Sequence, residues 1–319
     1  MIWQLRTQRI ELGDKPVLMG IVNVTPDSFS DGGQFYRSGK LEIHAAVDFA
    51  LQLIDEGARV IDIGAESTRP GAKRITADEE LRRLIPVVAA IREKTETPIS
   101  VDTSRAVVAK EAVGAGAEIV NDISGATFDP KMLAVLQETG AGVCLMHIQG
   151  MPETMQRSPY YNDVVSEVTH WLAGRKQAAT DAGIFPERIV LDPGIGFGKN
   201  VEHNIAILQN VGRLHQLGSP LLFGVSRKRF LDALSGCDDT LYSRRLETPE
   251  ADYGSPATQC CCAKPKAAAH TGCGIPQNRL SGTIAVTLFL ASQGVRIFRV
   301  HDVGEIHHAL TAWQLMMKK

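Results

Sequence analysis

The chain has 319 residues, 44% of them hydrophobic and 22% charged, with 34 Lys and Arg against 36 Asp and Glu for a formal net charge of −2. That is ordinary globular composition at single-barrel length, and the near-neutral balance excludes a general electrostatic attraction to nucleic acid or to an anionic membrane. No run approaches the roughly 18 apolar residues of a membrane span, and Met1-Ile2-Trp3-Gln4-Leu5-Arg6 lacks the apolar core of a secretion signal, so a cytoplasmic protein is expected.

Short apolar runs, each ending in polar, Gly or Pro residues, set the rhythm of the sequence. Val17 to Val22 ends in Asn23-Val24-Thr25-Pro26-Asp27-Ser28-Phe29, and Ile43 to Glu56 reads as the helix that follows. Val60 to Ile63 ends in Gly64-Ala65-Glu66-Ser67-Thr68-Arg69-Pro70-Gly71 before a helical Asp78 to Lys94. Ile99 to Val101 runs into Asp102-Thr103-Ser104 and a helix over Arg105 to Ala115; Ile119-Val120 runs into Asn121-Asp122-Ile123-Ser124-Gly125 and a helix over Pro130 to Glu138. Val143 to Met146 ends at His147 ahead of a long helix from Asp163 to Ala182. Ile189 to Leu191 ends in Asp192-Pro193-Gly194-Ile195-Gly196-Phe197-Gly198-Lys199, with a helix from Asn204 to Gln216. Leu221 to Val225 ends in Ser226-Arg227-Lys228, a helix is expected over Gly282 to Gln293, and Ile297-Phe298 closes the series with Arg299-Val300-His301-Asp302. Eight strands that each end in a polar loop, with helical stretches in the intervals between them, predict a parallel (β/α)8 TIM barrel with residues 1–319 in one domain.

One stretch breaks the rhythm. Glu247 to Asn278 carries Pro249, Gly254, Pro256, Pro265, Gly272, Gly274 and Pro276 without a usable period, which predicts a long disordered or irregular insertion (247–278) between strands seven and eight. Topology puts it on the catalytic side of the barrel, since strand seven ends there and the next helix must descend. Five of the six cysteines, Cys237, Cys260, Cys261, Cys262 and Cys273, fall in or near it. The paired C-x-x-C spacing of a structural zinc site is missing, so a reduced solvated loop is the better reading, and Cys144 inside a strand is expected to be a small buried hydrophobe.

In a parallel barrel the loops after the strand C-termini build the active site, so the polar endings converge on one mouth. Turn formation explains the Gly and Pro there, but does not call for Asn23, Asp102, Asn121, Asp192, Lys228, Arg299 and His301 at or beside strand ends. The turn after Asp192 lacks the Walker spacing, and its glycines instead let a flat ligand approach the backbone, with Phe197 as an apolar face. A buried carboxylate such as Asp192 can accept two parallel hydrogen bonds from a guanidine-like edge, and with Asn121 and Lys228 could read one heterocycle. Opposite, Arg299 and His301 stand two residues apart, hence on one side of an extended segment, and suit a phosphate or pyrophosphate. Asn23 can give one oxygen to a Mg2+ that keeps most of its waters and bridges phosphates.

In order and at every expected strand end, these motifs resemble the signatures of the dihydropteroate synthase family: Asn23 through Gly33, Glu66 through Gly71, Asp102-Thr103, Asn121 through Gly125, Asp192 through Lys199, Ser226-Arg227-Lys228 and Arg299 through Asp302. The resemblance implies condensation of hydroxymethyl-dihydropterin pyrophosphate with para-aminobenzoate, a Mg2+ cofactor and a homodimer built through outer helices. It also implies roles. Asp102, Asn121, Asp192 and Lys228 fall in the pterin pocket, with Met146 and Gly196 among the substrate-binding residues; Asn23, Arg299 and His301 fall at the Mg2+-pyrophosphate site. Loops Thr25 to Gly33 and Ser67 to Gly71, with Phe197 and Lys228, fall at the para-aminobenzoate site, where Thr68 and Pro70 are expected near the ring and Arg69 is among the substrate-binding residues. Asp102, Lys228, Arg299 and His301 are the expected catalytic set. Arg229 follows Lys228 where the family varies. Two other readings of such a barrel stay open: a non-catalytic pterin-binding paralogue and a pterin-dependent methyltransferase, the latter having no use for Arg299, His301 or the Ser67 to Gly71 loop.

Overall fold

The computed structural model describes residues 1–26, 35–37, 40–234 and 279–317. In chain order these form a hairpin, β1 (Ile2–Gln4) and β2 (Arg9–Glu11), then β3 (Val17–Asn23), a two-residue ladder of β4 (Tyr36–Arg37) and β5 (Lys40–Leu41), and α1 (Ile43–Asp55). The repeat continues with β6 (Val60–Gly64), α2 (Ala77–Arg92), β7 (Ile99–Asp102), α3 (Ala106–Gly114), β8 (Ile119–Asp122), α4 (Met132–Thr139), β9 (Gly142–Met146) and α5 (Val164–Asp181). It ends with β10 (Ile189–Asp192), α6 (Val201–Gln209), α7 (Val211–His215), β11 (Leu222–Phe223), α8 (Phe230–Leu234), α9 (Leu280–Ser292), β12 (Ile297–Val300) and α10 (Val303–Met317).

Eight parallel strands run in the order β10-β9-β8-β7-β6-β3-β12-β11, and the ring shuts where Leu191 bridges Leu221 and its N–H donates to the Pro220 carbonyl at 3.0 Å. The eight-stranded barrel expected from the sequence is therefore present. Most of its strands run a residue or two past the apolar runs: Asn23, Asp102, Asn121, Asp192 and Arg299 belong to the ladder, because backbone pairing continues beneath a polar side chain.

Side chains along a strand alternate in direction, so the residue two beyond an inward one also points inward. Val17, Met19, Val60, Ile119, Cys144, Val190, Leu222 and Ile297 make one apolar cluster inside the ring, closed below by Trp3, Leu5, Ile10 and Leu12 of the β1/β2 hairpin. Trp3 is wholly buried and its indole N–H donates to the Arg188 carbonyl at 3.1 Å. Two residues on from Val60, Ile119, Val190 and Ile297 stand Asp62, Asn121, Asp192 and Arg299. A single periodicity thus yields a dry floor and, above it, a polar layer.

The helices sheathe the ring over a second, larger apolar cluster. Thr76 caps α2, accepting from the Glu79 N–H, and Asp163 caps α5, accepting from the Val165 and Ser166 N–H groups. The single helix expected over Asn204 to Gln216 begins earlier and breaks at Asn210, which leaves helical geometry at φ −118° and ψ 29°. No described helix is long and apolar enough to cross a membrane. The insertion 247–278, with Cys237, Cys260, Cys261, Cys262 and Cys273, and residues 27–34 of the first loop lie outside the described residues. Cys144 is buried in β9 as a free thiol, as expected.

Candidate active site

The polar layer is organised by a residue the sequence reading did not single out. Asp62 of β6 has no exposed surface, and its Oδ2 accepts from Arg299 Nε at 2.6 Å and from Asn121 Nδ2 at 3.3 Å. Arg299 Nη2 also donates to Asp102 Oδ2 at 3.0 Å. Because Asp62 engages the amide nitrogen of Asn121, the amide oxygen is the atom left to accept from a ligand. Burial, opposed by Arg299 and reinforced by Asp62, Glu80 and Asp122, pushes the Asp102 carboxyl up to about 7. The signal for Asp62 was present as a lone carboxylate inside an apolar strand, at the inward position two after Val60.

Asp192, at the end of β10, accepts the Gly194 N–H at 2.7 Å through Oδ1, and burial pushes its carboxyl up to about 6. That bond uses one lone pair, and both carboxylate oxygens keep capacity to accept from a ligand. Gly194 holds φ +67°, and a Cβ there would stand 1.9 Å from the His147 carbonyl oxygen, so only glycine fits. The loop is pinned from below by Lys199, 2% exposed, whose Nζ reaches the Gly194 and Phe197 carbonyls at 3.0 Å each and His147 Nδ1 at 2.9 Å. Lys199 is therefore a loop brace. Lys228 crosses the loop from the other side, with Nζ 4.2 Å from the centre of the Phe197 ring and hydrogen-bonded to the Ile195 carbonyl. Burial lowers its ammonium to about 8. Gly196 makes the crossing possible, since a Cβ there would lie 3.0 Å from Lys228 Cδ. Met146 packs with Ile123, Ile148 and Met155 in a small apolar cluster that Phe197 joins.

Around His301 the structure gathers cations. Its Nδ1 lies 3.0 Å from Ser226 Oγ, and burial together with Arg227, Arg299, Arg69 and Lys228 holds the imidazole well below its ordinary pKa. His301 thus offers a hydrogen-bonding imidazole, and its neighbours supply the positive charge around it. Arg227, at φ +57°, is fixed by Asp302 through Nε at 3.0 Å. Arg69 belongs to the half-buried part of the second loop with Thr68, while Pro70 is exposed. Arg229 is exposed.

Asn23 ends β3 beside Gly64. A Cβ at Gly64 would come 3.5 Å from Asn23 Oδ1 and 3.9 Å from Asp102 Oδ2, so the glycine leaves a cradle bordered by two hard oxygen donors. Among the described residues no three His, Cys, Asp or Glu side chains cluster to cage a metal by themselves. The donors fit a Mg2+ ion held by few protein oxygens and otherwise by water and phosphate.

The acidic layer, the glycine-rich loop and the cationic rim fall in one stretch of sequence that other proteins share: a family model described as pterin binding enzyme matches residues 19–301. The dihydropteroate synthase of Escherichia coli is 41% identical over 295 residues, 92% of this chain and 89% of that protein. The chain belongs to the dihydropteroate synthase family. Among solved structures, the Yersinia pestis dihydropteroate synthase with a sulfonamide drug superimposes with a TM-score of 0.80 at 37% identity, covering 99% of both chains. The Xanthomonas albilineans dihydropteroate synthase with 4-aminobenzoic acid gives 0.80 at 37% identity, covering 100% of this chain and 98% of that one.

Within this family framework, Asp102, Asn121, Asp192, Lys228, Met146, Gly196 and Phe197 come together at the mouth, with Arg299 and His301 beside them. Arg299 is not confined to the phosphate side: ion pairs with Asp62 and Asp102 seat it in the polar layer that joins the two halves of the site. Asp122 next to Asn121 faces away and accepts from Ser124 N–H and Oγ at 2.7 Å each and from the Ala126 N–H at 3.1 Å, so it shapes the turn.

Proposed function

We propose that this enzyme condenses hydroxymethyl-dihydropterin pyrophosphate with para-aminobenzoate, releasing pyrophosphate and forming dihydropteroate. The observation that carries the reading is the adjacency of three acceptors and a lysine, namely Asp102, Asn121, Asp192 and Lys228, to a rim where Arg69, Arg227 and Arg299 surround His301. Acceptors on one side and a donor on the other match a flat heterocycle with an amino-substituted edge, and the rim matches a polyanion.

In the reaction the C–O bond to pyrophosphate breaks, the arylamine nitrogen bonds to the methylene carbon, and that nitrogen loses its proton to solvent. An arylamine is neutral at pH 7, so departure of the leaving group is the demanding event. Arg69, Arg227, Arg299 and Lys228 stabilise the charge developing on the leaving group, while His301 hydrogen-bonds it. Asp102, ionised, faces the positive charge developing on the pterin. Bound Mg2+, held by Asn23 and bordered by Asp102, would neutralise pyrophosphate charge. Phe197 and the Lys228 stem supply the apolar wall for the aromatic ring, and Thr68 and Pro70 lie on the loop that approaches it. A homodimer through outer helices belongs to the same reading; it is supported by an apolar groove of about 590 Å3 that includes Ile205, Leu208, Val286 and Phe289.

Pyrophosphate release from the two substrates, measured with and without Mg2+, tests the proposal. Tight binding of the pterin pyrophosphate without release of pyrophosphate in the presence of para-aminobenzoate would instead indicate a non-catalytic pterin-binding paralogue.

A further inference from the structure

Outside the mouth, one buried cluster of charges is not used by the chemistry above. Arg105 immediately precedes α3, three residues beyond Asp102, with its side chain 15% exposed. Its guanidinium grips Glu66 with both arms, Nη2 to Oε1 and Nη1 to Oε2 at 3.0 Å each. Nη1 also meets Glu80 of α2, whose side chain is 1% exposed, and Nη2 donates to the Ile75 carbonyl. Glu66 Oε1 in turn accepts the Ile75 N–H at 2.8 Å, and Arg74 Nε lies 3.6 Å from Glu66 Oε2.

Glu66 and Ile75 are the two ends of the loop 67–74, so one ion pair closes that loop at its base. The clasp is also referenced to the pterin floor. The Arg105 N–H donates to Thr103 Oγ1 at 3.2 Å, and Thr103 directly follows Asp102. Two further ties hold the neck and tip: Arg74 Nη2 to Ser104 Oγ at 3.1 Å, and the Gly71 N–H to the Pro152 carbonyl at 3.2 Å. Burying one guanidinium between two carboxylates is costly relative to an apolar plug of the same size, so stability alone gives little reason for it. It does give directional registry: a planar fork fixes both distance and angle between β7 and the loop carrying Thr68, Arg69 and Pro70.

We propose that Arg105, clasped by Glu66 and Glu80, is a positioning residue that sets the 67–74 loop against the Asp102 strand, and so delivers Arg69 and Thr68 to the pyrophosphate and arylamine side of the site. The proposal rests on the functional reading above. It predicts a split between substrates, because the pterin ring is read by β7, β8, β10 and Lys228, none of which depends on the loop.

The test uses the full-length protein with Arg105→Lys, which keeps a charge for Glu80 but cannot fork, and Glu66→Gln, which keeps an acceptor for the Ile75 N–H. Hydroxymethyl-pterin lacking pyrophosphate should bind both variants within twofold of the parent, with KM for para-aminobenzoate raised at least fivefold, kcat lowered, and backbone amides 67–74 exchanging faster with deuterium. KM and kcat within twofold of the parent in both variants would overturn the proposal. So would parallel loss of pterin affinity and melting temperature, which would make the clasp a fold brace only. If the parent itself releases no pyrophosphate, the functional reading fails, and the exchange rates alone then decide: unchanged protection of 67–74 overturns the clasp, faster exchange confined to that loop supports it.

Discussion

Replacing Asp62 with Asn keeps the volume of the side chain and removes one charge from the centre of the barrel. Asp62 Oδ2 carries both the 2.6 Å bond from Arg299 and the 3.3 Å bond from Asn121, so a neutral amide weakens the seating of two ligand-facing groups at once. Hydrogen bonds to charged groups are each worth about 1.5 to 3 kcal/mol, and losing the equivalent of one of them corresponds to a loss of pterin affinity of about 10- to 150-fold. A second effect has a definite sign. Asp102 is held up to about 7 by burial, against the pull of Arg299 and with help from Asp62, Glu80 and Asp122. Removing the Asp62 charge leaves Arg299 to Asp102 alone, so the Asp102 carboxyl falls toward the ordinary carboxylate range. Catalysis requires that carboxylate ionised and is lost as pH falls through its pKa, so the acid limb of kcat/KM moves to lower pH in the variant while the plateau drops. Calorimetric titration with the pterin and a rate profile from pH 5 to 9 read both quantities. Affinity within twofold of the parent, with an acid limb that does not move, would refute the assigned role of Asp62.

Other outcomes follow from the same geometry. Gly194→Ala places a methyl group 1.9 Å from the His147 carbonyl at φ +67°; a loss of about 1 to 3 kcal/mol in stability and at least tenfold in pterin affinity is expected, and melting within 1 °C of the parent would contradict it. Asp102, Asp122 and Asp192, raised by burial to about 7, 6 and 6, bind protons more tightly folded than unfolded. The stability they contribute is complete below about pH 4 and is lost as pH rises through 6 to 7, so thermal scans at fixed ionic strength should show these groups lowering the melting temperature between pH 5 and 8, with a shallower slope when Asp192 is Asn. Asp192→Asn should also nearly abolish pterin binding, as a titration would show, because a donor replaces one acceptor. Replacing 247–278 with a short Gly-Ser linker should leave the melting temperature and turnover nearly unchanged, since the chain on either side is already joined by Arg279 and Asp232 at 2.9 and 2.7 Å; loss of the folded barrel would show that stretch to be structural.

The sequence by itself determined the architecture. Parallel strands buried on both faces must be apolar throughout, and eight such runs separated by helical stretches leave few alternatives to a barrel. It also marked strand ends as candidates for chemistry, because Asp102, Asn121, Asp192, Lys228 and Arg299 are expensive to place there without a purpose. The hairpin β1/β2 was not legible, being two three-residue strands with no period of their own, and it exists because the open lower end of the barrel needs a cover. α10 escaped for a related reason: it follows the last strand and lies outside the repeat that carried the reading. Tertiary structure alone decided the pairings. Arg299 and Asp62 are 237 residues apart and Arg299 and Asp102 are 197 apart, so only closure of the ring makes them neighbours. The same closure sets the field at His301: burial and Arg69, Arg227 and Lys228, which arrive from other loops, hold its imidazole well below the ordinary pKa. Residue type and spacing encode which groups face the mouth; the field those groups feel is a sum over the whole ring, and it exists only once the ring is closed.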